Sequence, residues 1–385
     1  MKNRAFIRLL SAGAMAFISV VAISQPPRGP LAISPRVLPD KKVTFNYIAP
    51  YAKDVKLSGQ FLTAPVPMKK DASGMWTVTV GPVRPDMYPY NFVVDGTTVM
   101  DPANEDFFPN ERFKGSLLDV PGFTPVAHAI RDVPHGAVNY EYYPSIEGTT
   151  GTVVVYTPPG YDKNATTKYP VYYLISGTTD TEETFFKVGR TNFIMDNLIA
   201  DGKAKPMIIV MPYGNMEARI AEQKGGAKPA DPVRDSPDAI TRMRRFEQDL
   251  TKQVIPFIDK NYRTIANREN RAIGGFSRGG GQTLRTAFWN FDTFAWICAY
   301  SANIPTNEME TTYSSIFSNP ESTNKQLKLL WVGVGTEDFL YNDVATFLIK
   351  LKEKKINYKS MITGGGHTWM NVKTYLAESA QLLFK

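Results

Sequence analysis

The sequence predicts a mostly parallel α/β sheet covered by helices, preceded by a small all-β sandwich. Three observations carry this. Up to about residue 122 the apolar residues recur with period two, whereas from about residue 137 strand-length apolar runs alternate with helical patterns. At 385 residues the chain is also longer than one typical core, so two units are expected.

Residues 1–24 read as a secretory signal. Lys2, Arg4 and Arg8 form a basic start, residues 9–23 an apolar core too short for a comfortable membrane span, and Ala22-Ile23-Ser24 a small-residue cleavage site. The single cysteine, Cys298, lies far away, so no lipoprotein anchor is available and the expected mature chain is soluble, periplasmic or secreted. Losing three basic residues takes the formal charge from +7 to +4, too mild to argue for nucleic acid or a membrane surface. One cysteine rules out an internal disulfide and, with three histidines, any Cys/His zinc cluster, and no metal or cofactor is called for. Cys298, inside the apolar run 294–300, reads as a buried, inert thiol.

In the first unit, residues 25–122, Val43, Phe45 and Tyr47 form one half-buried strand pattern, and Val55 and Leu57 a second. Trp76, Val78 and Val80 form a third, and Tyr88, Tyr90, Phe92 and Val94 a fourth. The breaks at Ala49-Pro50, Ser58-Gly59, Ser73-Gly74 and Asp95-Gly96 are turn chemistry, and Asp-Gly suits a tight hairpin. Short strands without helical period point to an immunoglobulin-like sandwich. Residues 123–136 read as a linker.

In the second unit, residues 137–385, strand-length runs fall at 153–156, 171–175, 207–211, 272–276, 296–300, 329–334 and 358–362. Phe246, Leu250, Val254 and Ile258, four apart, mark a helix that Pro256 should bend. In such a sheet function collects beyond the carboxyl ends of the strands. Residues 215–245 lack a clear period and carry Gly225-Gly226, Pro229, Pro232 and Pro237. They read either as a cover over a site or as a mobile excursion.

The chemistry centres on Gly275-Phe276-Ser277-Arg278-Gly279, a G-x-S-x-G pentapeptide between an apolar run and a helix-compatible one. It places Ser277 on a tight strand-to-helix turn, with backbone N–H groups of the helix start aimed at whatever binds there. A serine needs a base, usually a histidine held by a carboxylate. His128 and His135 lie at the linker and read as linker or packing residues, so His367, in the glycine-rich loop after the last strand run, is the leading base. The chain order Ser, acid, His of an α/β-hydrolase-like site places the carboxylate between them. Asp338, after the run 329–334, is the choice, with Glu337 and Asp343 as fallbacks; the alternative is that Asp338 only caps the helix starting near Tyr341. An oxyanion needs donors, expected from the backbone N–H of Arg278 and from the loop Ser176-Gly177-Thr178-Thr179, with Thr178 preferred and Gly177 allowing close approach.

These residues resemble the esterase D-like branch of the α/β hydrolases, carbohydrate esterase family 1, which holds feruloyl esterases, acetyl xylan esterases and relatives of enterochelin esterase. The supporting stretches are residues 156–161, 192–212, 246–250, 272–280, 335–340 and 365–369. Residues 55–59, 93–96 and 101–104 resemble the early-set module, akin to glycogen-binding modules, that precedes such esterases. The resemblance implies nucleophile, acid and base at Ser277, Asp338 and His367. Many relatives carry His-Gly where this chain has Ser176-Gly177, and Met where it has Arg278. Arg278 is read as favouring an anionic substrate group or as pairing with a nearby carboxylate.

The expected function is a secreted serine esterase, of feruloyl esterase type, acting on feruloylated or acetylated xylan oligosaccharides. Substrate-binding candidates are Trp369, Arg219 and Ser176. The alternatives are an acetyl xylan esterase, a siderophore esterase using Arg219 and Arg278, and a non-catalytic carbohydrate-binding protein using exposed Trp76, Tyr88, Phe107 and Phe108.

Overall fold

The structure is a computed structural model describing residues 32–121, 126–161 and 166–385; the leader expected over residues 1–24 lies outside them. The period-two patterning of the first unit is realised as two antiparallel sheets of four and six strands. Val43, Phe45 and Trp76 of one sheet interlock with Val55, Leu57, Tyr90 and Phe92 of the other in a single core. Asp95 and Gly96 have φ of 46° and 86°, as the two-residue hairpin turn between Val94 and Thr97 requires.

The aromatics expected on the sandwich surface are mostly inside it. Trp76, Tyr88 and Phe108 are buried. The Trp76 indole donates to the Ala49 carbonyl, the Tyr88 hydroxyl to that of Arg84, and Phe108 packs into the core of the second unit. Large rings with one polar handle are stable buried when the handle is satisfied locally, and the sequence pattern does not reveal that partner.

The second unit is an eight-stranded sheet. Its strands are β1 (Ala137–Pro144), β2 (Thr150–Thr157), β3 (Val171–Ile175), β4 (Ile208–Pro212), β5 (Arg271–Phe276), β6 (Trp296–Tyr300), β7 (Leu329–Gly335) and β8 (Lys359–Thr363). They lie in the order β1-β2-β4-β3-β5-β6-β7-β8. The pairs β1–β2 and β2–β4 are antiparallel and the rest parallel. Each apolar run read from the sequence falls on a strand: those inside the sheet are covered on both faces, whereas the last, β8, is a largely exposed edge. β1 carries no such run: it is a sheet edge whose tyrosines Tyr140 and Tyr142 face solvent.

Flanking this sheet are the helices α1 (Thr191–Ala200), α2 (Met216–Gln223), α3 (Pro237–Asp249), α4 (Arg278–Trp289), α5 (Tyr341–Glu353) and α6 (Trp369–Ala380). One face of the sheet, with Tyr156, Tyr172 and Trp331, packs against α1 and α6, while the other, with Val155, Tyr173 and Val332, packs against α2 to α5. Residues 215–245 are thus largely helical rather than one long loop. Asn215 and Ser236 cap α2 and α3 by accepting from the Ala218 and Ala239 N–H groups, and Pro237 opens α3. Pro256 is accommodated without ending the helix: α3 runs through a π-helical turn, Leu250–Val254, into a further helical segment, Ile255–Asn261.

The sandwich docks on the α1/α6 face, where Met87, Phe108 and Leu117 enter the core. Lys373 of α6, 2% exposed, pairs with Asp86 of the sandwich, and Arg190 pairs with Asp119 at 2.8 Å. His128 is buried beside them. Burial, with Lys373 and Arg190 nearby, holds its imidazole down to about 3, so it stays neutral. His135 is hydrogen-bonded to Asp196 at 2.8 Å. Cys298 is buried in β6, and burial pushes its thiol up to about 12. No helix among the described residues is long and apolar enough to cross a membrane.

Candidate active site

β5 ends at Phe276 and α4 begins at Arg278, which leaves Ser277 alone on the turn. Its φ of 55° and ψ of −120° are costly for a residue with a side chain. The turn is held by Ser277 N–H donating to the Tyr300 carbonyl and Gly281 N–H to that of Ser277, each at 2.9 Å. The flanking glycines make this packing possible. A Cβ on Gly275 would lie 2.5 Å from the Gly279 oxygen, and one on Gly279 would lie 2.2 Å from the Ile175 oxygen. Both clashes are with backbone, which cannot swing aside. Gly279→Ala should therefore lower the thermal midpoint by several degrees and remove activity, given the typical ~1–3 kcal/mol cost of overpacking. An unchanged melting curve would contradict this packing.

Ser277 Oγ lies 2.8 Å from His367 Nε2, and His367 Nδ1 lies 2.8 Å from Asp338 Oδ2. The structure thus brings the three residues together, from the ends of β5, β7 and β8. The other oxygen of Asp338 accepts from the Leu340 N–H at 2.8 Å, so the carboxylate serves the turn before α5 and the imidazole at once. Glu337 points to solvent, and Asp343 pairs with Arg234. Burial pushes the Asp338 carboxyl up, but the hydrogen bonds from His367 and Leu340 outweigh it and hold the group below the usual carboxylate range. An ionised Asp338 favours the tautomer with the proton on Nδ1, leaving Nε2 to accept from the serine hydroxyl.

The imidazole sits between two rings, with centroids 4.6 Å away at Phe276 and 4.5 Å away at Phe339. Phe339 is 75% exposed and faces the cleft, and it was not among the residues expected from the sequence. It lies in the turn after β7, next to the buried Asp338, and no sequence pattern marks it.

A cleft of about 220 Å³ opens on Ser277, with Thr178, Arg278, Gln282 and Phe339 among its walls. Thr178 is exposed to it. The Gly177 N–H, by contrast, donates to Asp180 Oδ2 at 3.2 Å within its own loop. The Arg278 guanidinium donates to the Gly177 carbonyl at 3.2 Å and bonds to no carboxylate there. Asp231, Pro232, Arg234 and Asp235, between α2 and α3, form the opposite wall. They are pinned by Arg112–Asp231 at 2.7 Å, Arg285–Asp235 at 2.6 Å and Arg234–Asp343.

The three substrate-binding candidates do not reach this cleft. Trp369 is buried at the start of α6, edge-on to Phe185 and Phe276, where it supports the ring beneath His367. Arg219 is buried on α2, donates to Tyr143 Oη and the Thr152 carbonyl, and lies over the Tyr213 ring. Ser176 is buried beneath the loop, its hydroxyl without a hydrogen-bond partner. In each case tertiary packing takes up a side chain that sequence proximity to the site made attractive.

A family model described as "Putative esterase" matches residues 145–373, more than half of the chain. The chain belongs to this esterase family. A relative, the endo-1,4-beta-xylanase/feruloyl esterase of Xylanibacter ruminicola, is 31% identical over 361 residues, covering 91% of this chain and 46% of the relative. The esterase chain spans less than half the length of the curated relatives it matches. Among solved structures, the feruloyl esterase module from Clostridium thermocellum complexed with sinapinate superposes with a TM-score of 0.55 at 23% identity, covering 68% of this chain and 92% of that one. The enterobactin esterase from Shigella flexneri superposes with a TM-score of 0.61 at 13% identity, covering 89% and 93%. At these identities both show the fold, that of the α/β hydrolases.

Proposed function

We propose that the chain is a serine carboxylic-ester hydrolase that releases an aromatic acid, ferulic acid, from feruloylated xylan fragments. The observation that carries this is the Ser277–His367–Asp338 relay, closed at 2.8 Å on both sides over an open cleft. Ser277 Oγ attacks the ester carbonyl while His367 Nε2 takes its proton, and the oxyanion is held by backbone N–H groups of Arg278 and Thr178. His367 then protonates the departing sugar hydroxyl. Water, deprotonated by the same imidazole, attacks the acyl-serine, which frees the acid and restores Ser277. Asp338 stabilises the imidazolium at each stage. The leader read over residues 1–24 would deliver this activity outside the cytoplasm.

Phe339, together with the likeness to the relative in Xylanibacter ruminicola named as both xylanase and feruloyl esterase, favours an aromatic acyl group. An exposed ring beside the base offers a stacking surface to a phenolic acyl group and little to an acetyl group. Phe339→Ala should raise KM for methyl ferulate about 3- to 10-fold, the loss of roughly 0.5–1.5 kcal/mol of ring contact, while p-nitrophenyl acetate changes less than twofold. Equal effects on the two substrates would remove Phe339 from acyl recognition.

The likeness in fold to an enterobactin esterase raises siderophore esters as a second reading. Their anionic groups need available cations. In this cleft Arg234, Arg242 and Arg285 pair with Asp343, Asp238 and Asp235, and Arg278 is turned to a carbonyl. The aromatic ester of a neutral sugar is the better match. The deciding experiment compares kcat/KM on feruloylated xylan oligosaccharides, acetylated xylan oligosaccharides and a catecholate trilactone. The feruloylated substrate should lead, and a lead by either of the others would replace this reading with the corresponding one. Xylan binding with no turnover of any ester would favour the non-catalytic alternative.

A further inference from the structure

Three successive residues of the sandwich, Asn110, Glu111 and Arg112, between them contact three segments around the cleft. Asn110 is 2% exposed. Its Nδ2 donates to Thr179 Oγ1 at 3.0 Å and to Asp180 Oδ1 at 3.2 Å, and the Glu111 N–H donates to the Thr179 carbonyl at 2.7 Å. The Glu111 carboxylate accepts from Asn215 Nδ2 at 2.8 Å and 3.0 Å. Asn215 follows Gly214, a cleft residue, and caps α2. Arg112 pairs with Asp231 on the opposite wall.

The Asn110 contact falls where the catalytic loop is under strain. Thr179 has φ of 61°, a left-handed conformation unfavourable for a β-branched residue, and it follows Thr178, the proposed oxyanion donor. Asp180 accepts from the Gly177 N–H on the other side of Thr178. Thr178 is therefore bracketed by Thr179, bonded to Asn110 directly, and by Gly177, tied to Asn110 through Asp180. Three bonds from the corner thus fall on this one loop.

We propose that the sandwich corner at residues 110–112 is a positioning clamp for the ester-cleaving centre, in which Asn110 fixes the loop that presents the Thr178 N–H to the oxyanion. The proposal rests on the serine esterase reading above. Asn110 touches no reacting atom and acts through Thr179 and Asp180. Its effect should appear in the transition state, where the oxyanion forms, and not in ground-state binding. The charged groups facing Asp180 are Arg278 from α4 and Glu111 from the corner, and burial pushes its carboxyl up to about 7 against the pull of the Gly177 N–H, Arg278 and Asn110.

The test uses the full chain with methyl ferulate. Asn110→Ala should lower kcat about 10- to 100-fold with KM within twofold of wild type. Asn110→Asp keeps the oxygen that accepts from the Arg112 and Phe113 N–H groups, so the corner can still form. It sets a second carboxylate against Asp180, and the two can bond only by sharing a proton. Its kcat relative to wild type should therefore rise as pH falls from 8 to 5.5, while that of Asn110→Ala stays flat. A kcat within twofold of wild type for Asn110→Ala, a loss confined to KM, a flat Asn110→Asp ratio, or collapse of both variants would each overturn the clamp. Absence of wild-type turnover would instead remove the esterase reading on which the clamp rests, so the two failures are distinguishable.

Discussion

Ser277→Ala is expected to lower kcat for methyl ferulate on the order of a millionfold, with the thermal midpoint unchanged or raised. The size follows from the arrangement of the cleft. Ser277 Oγ is bonded to an imidazole that is itself bonded to a carboxylate, and the other hydroxyl-bearing wall residue, Thr178, has no such partner. Losing the nucleophile leaves only what the oxyanion donors and binding contribute over water. The midpoint should not fall, because Ser277 makes no side-chain bond to the helix it caps and sits at a strained φ that alanine tolerates no worse. Residual activity above about one percent of wild type would mean that another group performs the attack, and a lowered midpoint would mean that the hydroxyl has a structural part.

Asp338→Asn is the second large effect, a drop of about 10⁴-fold in kcat by analogy with the same change in other serine hydrolases. An asparagine amide facing Nδ1 donates to it, which places the imidazole proton on Nε2, where it can no longer accept from Ser277 Oγ. The turn bond from Leu340 needs only an oxygen, so the fold should persist. A pH signature accompanies the change. Because the folded-state carboxyl of Asp338 lies below its unfolded value of about 3.9, its contribution to stability is present above that value and is lost as pH falls through the folded one. The difference in melting midpoint between wild type and Asp338→Asn should therefore shrink as pH falls below about 4. A constant difference, or kcat reduced less than tenfold, would show that another acid orients His367.

The chain order of the sheet was legible because each inner strand is covered on both faces, so its residues form an unbroken apolar run. The serine turn was legible because steric demand excludes a side chain on either flank: a Cβ on Gly275 or on Gly279 would lie under 3 Å from a backbone oxygen. The base could be inferred by elimination, since only three histidines exist. What stayed hidden depends on contacts between distant residues. β1 pairs at an edge with half-exposed tyrosines, α2 and α3 are short with narrow apolar stripes, and the fates of Trp369 and Arg219 are decided by partners on other elements. The bonds from Asn110 to Thr179 and Asp180 bridge about seventy residues of sequence, and no local pattern announces them.

The buried pair of Lys373 and Asp86 bears on how the molecule comes apart. The change of apolar period between residues 122 and 137 divides the chain on paper, but Lys373 has its ammonium in the interior and its counter-charge on the sandwich. If the sandwich melted first, the helix that begins two residues after His367 would lose this counter-charge together with the apolar cover of Met87, Phe108 and Leu117, and its inward face would meet water. Separating the units therefore exposes apolar surface and breaks the Lys373–Asp86 and Arg190–Asp119 pairs at once, and a single calorimetric transition for the two halves is the expected result.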